Sequence, residues 1–106
     1  MEIGPEDNGA TLTARVGETI TLRLAENPTT GFLWRPELEA DSNIHLSADR
    51  YLGPDQPRGA PGQHHFEFLA TRPGVTGLRV VKQRSWEGKP TDKFVVTLDV
   101  LSLIHI

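Results

Sequence analysis

The sequence predicts an all-β protein, an immunoglobulin-like β-sandwich of seven or eight antiparallel strands. Two observations support this fold class. Apolar and polar residues alternate in short runs with a period of two, and clusters of proline and glycine separate these runs at regular spacing. No long segment shows the 3.6-residue period of an amphipathic helix.

Each predicted strand places its alternate apolar residues on one face. The alternation is weak in the first predicted strand. The fourth predicted strand extends from about Ile44 to Leu52. The apolar residues that define the other strands are, in chain order, Leu12, Ala14 and Val16; Ile20, Leu22 and Leu24; Phe32 and Trp34; Phe66 and Phe68; Leu78 and Val80; and Phe94, Val96, Leu98 and Val100.

Backbone-shaping residues mark the connections. Proline fixes φ and lacks an N–H, while glycine adopts conformations closed to other residues. The connections are predicted at Gly17, at Pro28 to Gly31, at residues 37–43, at residues 53–62, at Arg72-Pro-Gly74 with Gly77, and at residues 87–90.

Size and composition indicate one soluble domain spanning residues 1–106. The net charge is −3, from 11 basic and 14 acidic residues without a basic stripe, so nucleic acid is not an expected partner. The apolar runs are too short to span a membrane. The chain contains no cysteine, which excludes thiol catalysis and cysteine metal sites.

The N-terminal residues Met1 to Asn8 do not combine a basic region with an apolar core, so no signal peptide is expected in this sequence. An exported protein would have lost such a segment on processing. The compartment therefore stays open between the cytoplasm and an exported location.

Three short segments interrupt the strand pattern: Asn27–Phe32, Gly59–Gly62 and Arg84–Trp86. They fall on the second, fourth and sixth connections. Because successive strands reverse direction, every second connection lies at the same end of the fold, and we expect all three segments to meet there. A rigid edge of three loops is suited to binding another macromolecule.

Each segment also has a purely structural interpretation. The first is a tight turn, in which Pro28 and Gly31 set the backbone, although its pair of threonines is not required for a turn. The second is an ordinary proline–glycine loop. In the third, Trp86 either folds back over the sandwich or serves as an exposed anchor beside Arg84, since tryptophan and arginine are enriched in binding hot spots.

The sequence gives little support for catalysis or for a metal. The adjacent His64 and His65 point to opposite faces of a strand and cannot easily share a metal ion. His45 and His105 are expected at the surface. No nucleophile elbow or phosphate-binding loop is present, so we expect no enzyme activity, no cofactor and no metal.

These segments, in this order, resemble the chagasin family of inhibitors of papain-like cysteine peptidases. Residues 8–13 with Val16-Gly-Glu18 are similar to the opening strand of the family, and Asn27–Phe32 matches its first inhibitory loop. Gly59–Gly62 resembles the second loop, and Arg84–Trp86 the third. The likeness covers nearly the whole chain.

The resemblance implies that these segments bind a target peptidase through Asn27, Pro28, Thr29, Thr30, Gly31, Phe32, Gly59, Ala60, Pro61, Gly62, Arg84, Ser85 and Trp86. Two residues depart from the family pattern. Pro61 replaces a glycine of the second loop and removes an N–H, and Ser85 replaces the usual proline of the third loop, which loosens the segment that presents Trp86.

The resemblance further implies a monomer that inhibits papain or cathepsin L-like peptidases reversibly and competitively, with Thr30 closest to the catalytic cysteine. Two alternatives remain at this point. One is an immunoglobulin-like adhesion module without a peptidase target. The other is a carbohydrate-binding sandwich, which requires an exposed aromatic platform of Trp34, Tyr51 and Trp86.

Overall fold

The chain, seen in a computed structural model, is described for residues 1–26, 31–39, 41–53, 62–84 and 91–102. The described residues form eight strands and a single turn of 3-10 helix at Pro5–Asp7. The strands are β1 (Glu2–Ile3), β2 (Thr11–Arg15), β3 (Thr19–Glu26), β4 (Phe32–Glu37), β5 (Ile44–Leu52), β6 (Gly62–Ala70), β7 (Gly74–Arg84) and β8 (Asp92–Leu101). The described residues contain no α-helix, and none of their elements is a helix able to cross a membrane.

Two four-stranded sheets pack face to face as a sandwich. The first sheet has the strand order β1-β3-β6-β5, and the second has the order β2-β8-β7-β4. The alternation of apolar and polar residues therefore buries one face of each sheet, as the sequence predicted.

Four strand pairs are antiparallel, as expected for the fold class; they are β3 with β6, β5 with β6, β4 with β7, and β7 with β8. However, β1 pairs with β3 and β2 pairs with β8 in parallel. The reason is topological: the chain reverses direction between every two successive strands. Strands separated by an even number of reversals run the same way, and both parallel pairs are of this kind.

The core contains the apolar residues that the alternation placed inside. Phe66 and Phe68 of the first sheet are fully buried against Leu78, Val80, Val96 and Leu98 of the second. The single buried charged residue among those described is Glu26, which is 2% exposed. It lies at the last position of β3, directly before the first predicted loop.

Two local predictions are corrected. Gly77 was expected in a turn, but it lies inside β7, opposite Thr97 of β8. Extended backbone accepts glycine without strain, so glycine alone did not mark the turn. The strand β1 and the 3-10 turn were not predicted, because two residues of strand are too short to show a period.

Candidate functional site

The three connections that interrupt the strand pattern leave the sandwich at one end. β3, β5 and β7 end there, and β4, β6 and β8 begin there, because strand direction alternates along the chain. In the first sheet Glu26 lies opposite Gly62, and in the second Phe32 lies opposite Arg84. We call the end of the sandwich that carries these four residues the loop end.

Several predicted site residues are thus strand residues at the roots of the loops. Phe32 begins β4, Gly62 begins β6 and Arg84 ends β7, while Gly31 precedes β4. The other predicted site residues lie outside the described part of the chain; they are Asn27, Pro28, Thr29, Thr30, Gly59, Ala60, Pro61, Ser85 and Trp86.

The roots of the first and third loops are held together by aromatic and cationic side chains. The guanidinium carbon of Arg84 lies 4.1 Å from the ring centre of Phe32. Two residue pairs deeper in the same ladder, Nζ of Lys82 lies 5.6 Å from the ring centre of Trp34. A cation over an aromatic face stabilises such a pair by about 0.5–1 kcal/mol at exposed sites. These contacts couple the start of β4 to the end of β7.

Glycine is required at two of the loop roots. Gly31 has φ of 82°, a left-handed conformation that disfavours residues with a Cβ atom. A Cβ atom on Gly62 would lie 2.7 Å from Cζ of Tyr51 and closer still to the backbone oxygen of Leu52. The tyrosine ring thus occupies the space that a side chain at position 62 would need.

Two hydrogen bonds, both donated by Trp34 of β4, join the strands on either side of the first loop across the two sheets. The backbone N–H of Trp34 donates to Oε1 of Glu26 at 2.7 Å. The indole Nε1–H of Trp34 also donates, to the backbone oxygen of Ala25 at 2.9 Å. Because β4 is the edge strand of its sheet, the backbone N–H of Trp34 has no neighbouring strand to pair with. The buried carboxylate supplies the acceptor instead.

The same carboxylate begins a row of polar side chains across the first sheet. Oε2 of Glu26 lies 2.8 Å from Nδ1 of His64, and Nε2 of His64 contacts Oδ1 of Asp49. The imidazole also stacks on Phe66, with 4.2 Å between ring centres and 8° between planes. Since these residues come from β3, β6 and β5, the row ties together the strands that carry the first two loops.

His65 lies on the opposite face of β6, as predicted for adjacent strand residues. Desolvation lowers the pKa of His65 below its ordinary value, and the positive charges of Arg23 and Arg50 lower it further. Its Nε2 is 3.2 Å from Oε1 of Gln63. The two neighbouring histidines therefore have opposite surroundings: carboxylates flank His64, and guanidinium groups lie near His65.

Sequence reasoning did not identify Glu26, His64 and Asp49 as parts of the loop end. For two of these residues, the alternation in the sequence indicates an inward-facing position. Glu26 continues the inward phase of Ile20, Leu22 and Leu24, and His64 continues that of Phe66 and Phe68. A polar residue in phase with a core face, next to a loop motif, indicates a buried hydrogen-bonding network.

The structure also decides the carbohydrate alternative. Trp34 is 9% exposed and packs in the core between the sheets. An exposed platform of Trp34, Tyr51 and Trp86 is therefore wrong. Within the described ranges, no three acidic or histidine side chains are arranged to hold a metal ion.

A β-sandwich that gathers three connections at one end, on roots joined across both sheets, has the architecture of a protein-binding module. The model of the chagasin family of peptidase inhibitors (I42) matches residues 13–98, which is most of the chain. The chain belongs to this family of inhibitors, as its resemblance implied, and it is not an enzyme.

Individual relatives agree with this assignment. The chain is 35% identical over 98 residues to chagasin of Trypanosoma cruzi, and the match covers 86% of this chain and 89% of chagasin. The crystal structure of the cysteine protease inhibitor EhICP2 from Entamoeba histolytica has a TM-score of 0.84 with 23% identity, covering 94% of each chain. PbICP-C in complex with falcipain-2 has a TM-score of 0.67 with 18% identity, covering 95% of this chain and 98% of PbICP-C.

Proposed function

We propose that this protein is a reversible, competitive, tight-binding inhibitor of papain-like cysteine peptidases, and that its three loops together occlude the active-site cleft. The observation that carries this proposal is the convergence of the three loop roots at the loop end, in a chain of the chagasin family. The solved complex of PbICP-C with falcipain-2 supports the choice of target class.

In this mechanism the first loop approaches the catalytic cysteine. Thr29 and Thr30 are small, and Pro28 restricts the backbone between them and the root at Glu26. The two hydrogen bonds between the Glu26 region and Trp34 hold the ends of this loop at a constant separation. A loop whose ends are held loses less conformational entropy on binding, so more of its contact energy appears as affinity.

The other two loops extend the contact along the cleft. Residues 59–62 lie toward the unprimed subsites and pair through their backbone with the cleft wall. Trp86 stacks on an aromatic surface on the primed side, and Arg84 forms charge-assisted hydrogen bonds. An interface of this kind buries about 1,600 Å² in total.

The inhibitor is not cleaved as a substrate would be. Peptide hydrolysis requires the attacking sulfur and the carbonyl carbon to lie about 3–3.5 Å apart with aligned orbitals. Membership of the chagasin family favours a first loop that blocks the cleft without presenting a carbonyl carbon in that geometry. Inhibition is therefore expected to reverse on dilution, with the inhibitor chain intact.

The direct test is titration of papain, and of a cathepsin L-like peptidase, with the purified protein. A stoichiometric loss of peptidase activity, restored by dilution and without a new fragment on a denaturing gel, supports the proposal. Full activity at micromolar inhibitor contradicts it and leaves the adhesion module as the better explanation.

Two variants then test the loop end as the contact surface. We expect Trp86→Ala to weaken binding by about 2 kcal/mol or more, because buried tryptophans dominate hot spots. Val75→Ala is the matched control, since Val75 is 70% exposed on β7 and lies away from the loop end. Equal inhibition constants for the two variants, measured by competition with a fluorogenic substrate, would remove Trp86 from the interface.

A further inference from the structure

Beneath the first two loops, His64 lies between two acidic side chains. Its Nδ1 is 2.8 Å from a carboxylate oxygen of Glu26, and its Nε2 contacts a carboxylate oxygen of Asp49. Both ring nitrogens can donate a hydrogen bond only when the imidazole is protonated. A neutral ring would turn one lone pair toward a carboxylate. The geometry is therefore that of an imidazolium bridging two carboxylates.

Burial makes the protonated form important for Glu26. The Glu26 side chain is 1% exposed, that of His64 13% and that of Asp49 44%, so the row leads from the core to the solvent. A buried carboxylate is stable as an ion only when it is paired and hydrogen-bonded. His64 is the basic group that the structure places against it, and Asp49 is the solvent-exposed end of the row.

The other charged and titratable groups around this row have separate contacts. On the inner face, Lys82 and Arg84 of the second sheet lie over the rings of Trp34 and Phe32, and the Tyr51 hydroxyl lies against Gly62. The remaining groups are on the outer face of the first sheet; they are Arg23 of β3, Arg50 of β5, and His65 and Glu67 of β6.

The row of Glu26, His64 and Asp49 is connected to the roots of both loops. Glu26 ends β3 and also accepts the hydrogen bond from Trp34 N–H that joins the two sides of the first loop. Glu26 pairs with Gly62, which begins the strand after the second loop. Asp49 lies on β5, the strand before that loop. A change at His64 is thus transmitted to the roots of both loops through direct contacts.

We propose that protonated His64 holds the roots of the first two loops in their binding-competent arrangement, and that loss of this proton releases them. This inference rests on the proposed inhibitory function. A ring that donates from both nitrogens exists only while the imidazole is protonated, and histidine side chains are protonated in mildly acidic solution. Inhibition is therefore strongest in mildly acidic solution and weakens above neutrality.

The first experiment uses the free protein and does not depend on a peptidase. The ring nitrogens of His64 and the backbone amides of Trp34 and Gly62 are followed by NMR between pH 5 and pH 8.5. We expect both amides to shift with the midpoint of the His64 ring. A ring that titrates while these amides remain unchanged would overturn the proposal.

The second experiment measures inhibition constants across the same pH range for the intact protein and for His64→Gln, which is neutral throughout. The ratio of the two constants cancels the pH dependence of the peptidase itself. We expect a ratio of roughly ten at pH 5.5 that falls toward one at pH 8, because affinity scales with the binding-competent fraction. A ratio that does not change with pH would reduce His64 to a packing residue.

Two further variants sharpen this test. In Asp49→Asn the new amide donates to a neutral His64 ring, so the row stays satisfied after deprotonation; we expect its inhibition constant to lose most of the pH dependence. His65→Gln changes the neighbouring histidine on the outer face and is expected to follow the parent protein. A pH profile in Asp49→Asn equal to that of the parent would contradict the bridge.

These outcomes separate the two proposals. A parent protein that inhibits no papain-like peptidase at any pH defeats the inhibitory function, and the NMR titration then decides the His64 bridge by itself. A parent protein that inhibits with a pH-independent ratio leaves the inhibitory function in place and defeats the bridge.

Discussion

The two halves of the sandwich interior are built from different chemistry. Away from the loop end, the fully buried side chains among the described residues are apolar, as at Phe68, Leu78 and Leu98. Toward the loop end, the same inward positions are occupied by Glu26 and His64 on the first sheet and by Lys82 and Arg84 on the second.

The difference separates stability from positioning. Apolar contacts are non-directional and scale with buried area, so they stabilise the sandwich without specifying the separation of two particular strand ends. Hydrogen bonds and cation–aromatic pairs depend on distance and angle. The loop half therefore contributes less hydrophobic stabilisation but determines the geometry of the roots from which the loops extend.

The largest expected effect is in the apolar half. Phe68→Ala should lower the free energy of unfolding by about 3–5 kcal/mol, through lost burial and the cavity left behind. The inhibition constant of the folded fraction should stay within about twofold, since no loop root is touched. Denaturant unfolding and peptidase titration measure the two quantities. A Phe68→Ala protein that folds stably but no longer inhibits would contradict the assignment of stability to one half and positioning to the other.

The next effect is at Glu26. Glu26→Ala should lower the free energy of unfolding by about 2–3 kcal/mol, because the buried N–H of Trp34 loses its acceptor. It should also weaken inhibition, unlike a change in the apolar half. Glu67→Ala is the control: it removes a carboxylate from a surface pair with Arg50 and should change stability by less than about 0.5 kcal/mol. Similar results for the two variants would mean that Glu26 has no positioning role.

The same substitution, glycine to alanine, can be compared at the two ends of the molecule. Gly62→Ala should destabilise the protein by about 1–3 kcal/mol, because its Cβ overlaps Tyr51 and Leu52. In Gly77→Ala no atom lies within 4 Å of the new Cβ. Its stability should be unchanged or higher by about 0.4–1 kcal/mol, since alanine restricts the unfolded chain. Thermal unfolding measures both, and equal melting temperatures would contradict the crowding at Gly62.

The smallest effect concerns His65. Because its pKa is lowered in the folded protein, the unfolded state binds more protons in the interval below the ordinary imidazole pKa of about 6.5. The contribution of His65 to stability is therefore full above that pH and lost as the pH falls. His65→Gln should lose less stability than the parent between pH 8 and pH 5.5, by thermal unfolding. A greater loss in the variant would reverse the assigned sign.

Much of the fold follows from local pattern. The alternation in residues 19–26 and 92–101 shows directly which side chains are buried, because a strand has a side-chain period of two. The placement of the three motifs on alternate connections also indicated that their roots meet, since direction reverses at each connection. The pairing partners did not follow, and neither did the parallel addition of β1 and β2, because pairing is a contact between segments distant in the chain.

The site divides in the same way. Motif residues such as Asn27, Thr30 and Trp86 are proposed as contact residues from the sequence, because their motifs resemble those of a known family. Glu26, His64 and Asp49 were not, because they come from three strands and act only through their contacts. Gly62 belongs to both groups: its motif was recognised, but the reason for a glycine there is the ring of Tyr51.

The amino-acid order alone determined the strand faces, the reversals and the family to which the loops belong, because each of these depends on neighbours along the chain. The tertiary structure decided which strand ends are joined and that a histidine lies between two acids beneath the loops. Such contacts depend on distances between segments far apart in sequence, and only packing of the two sheets sets those distances.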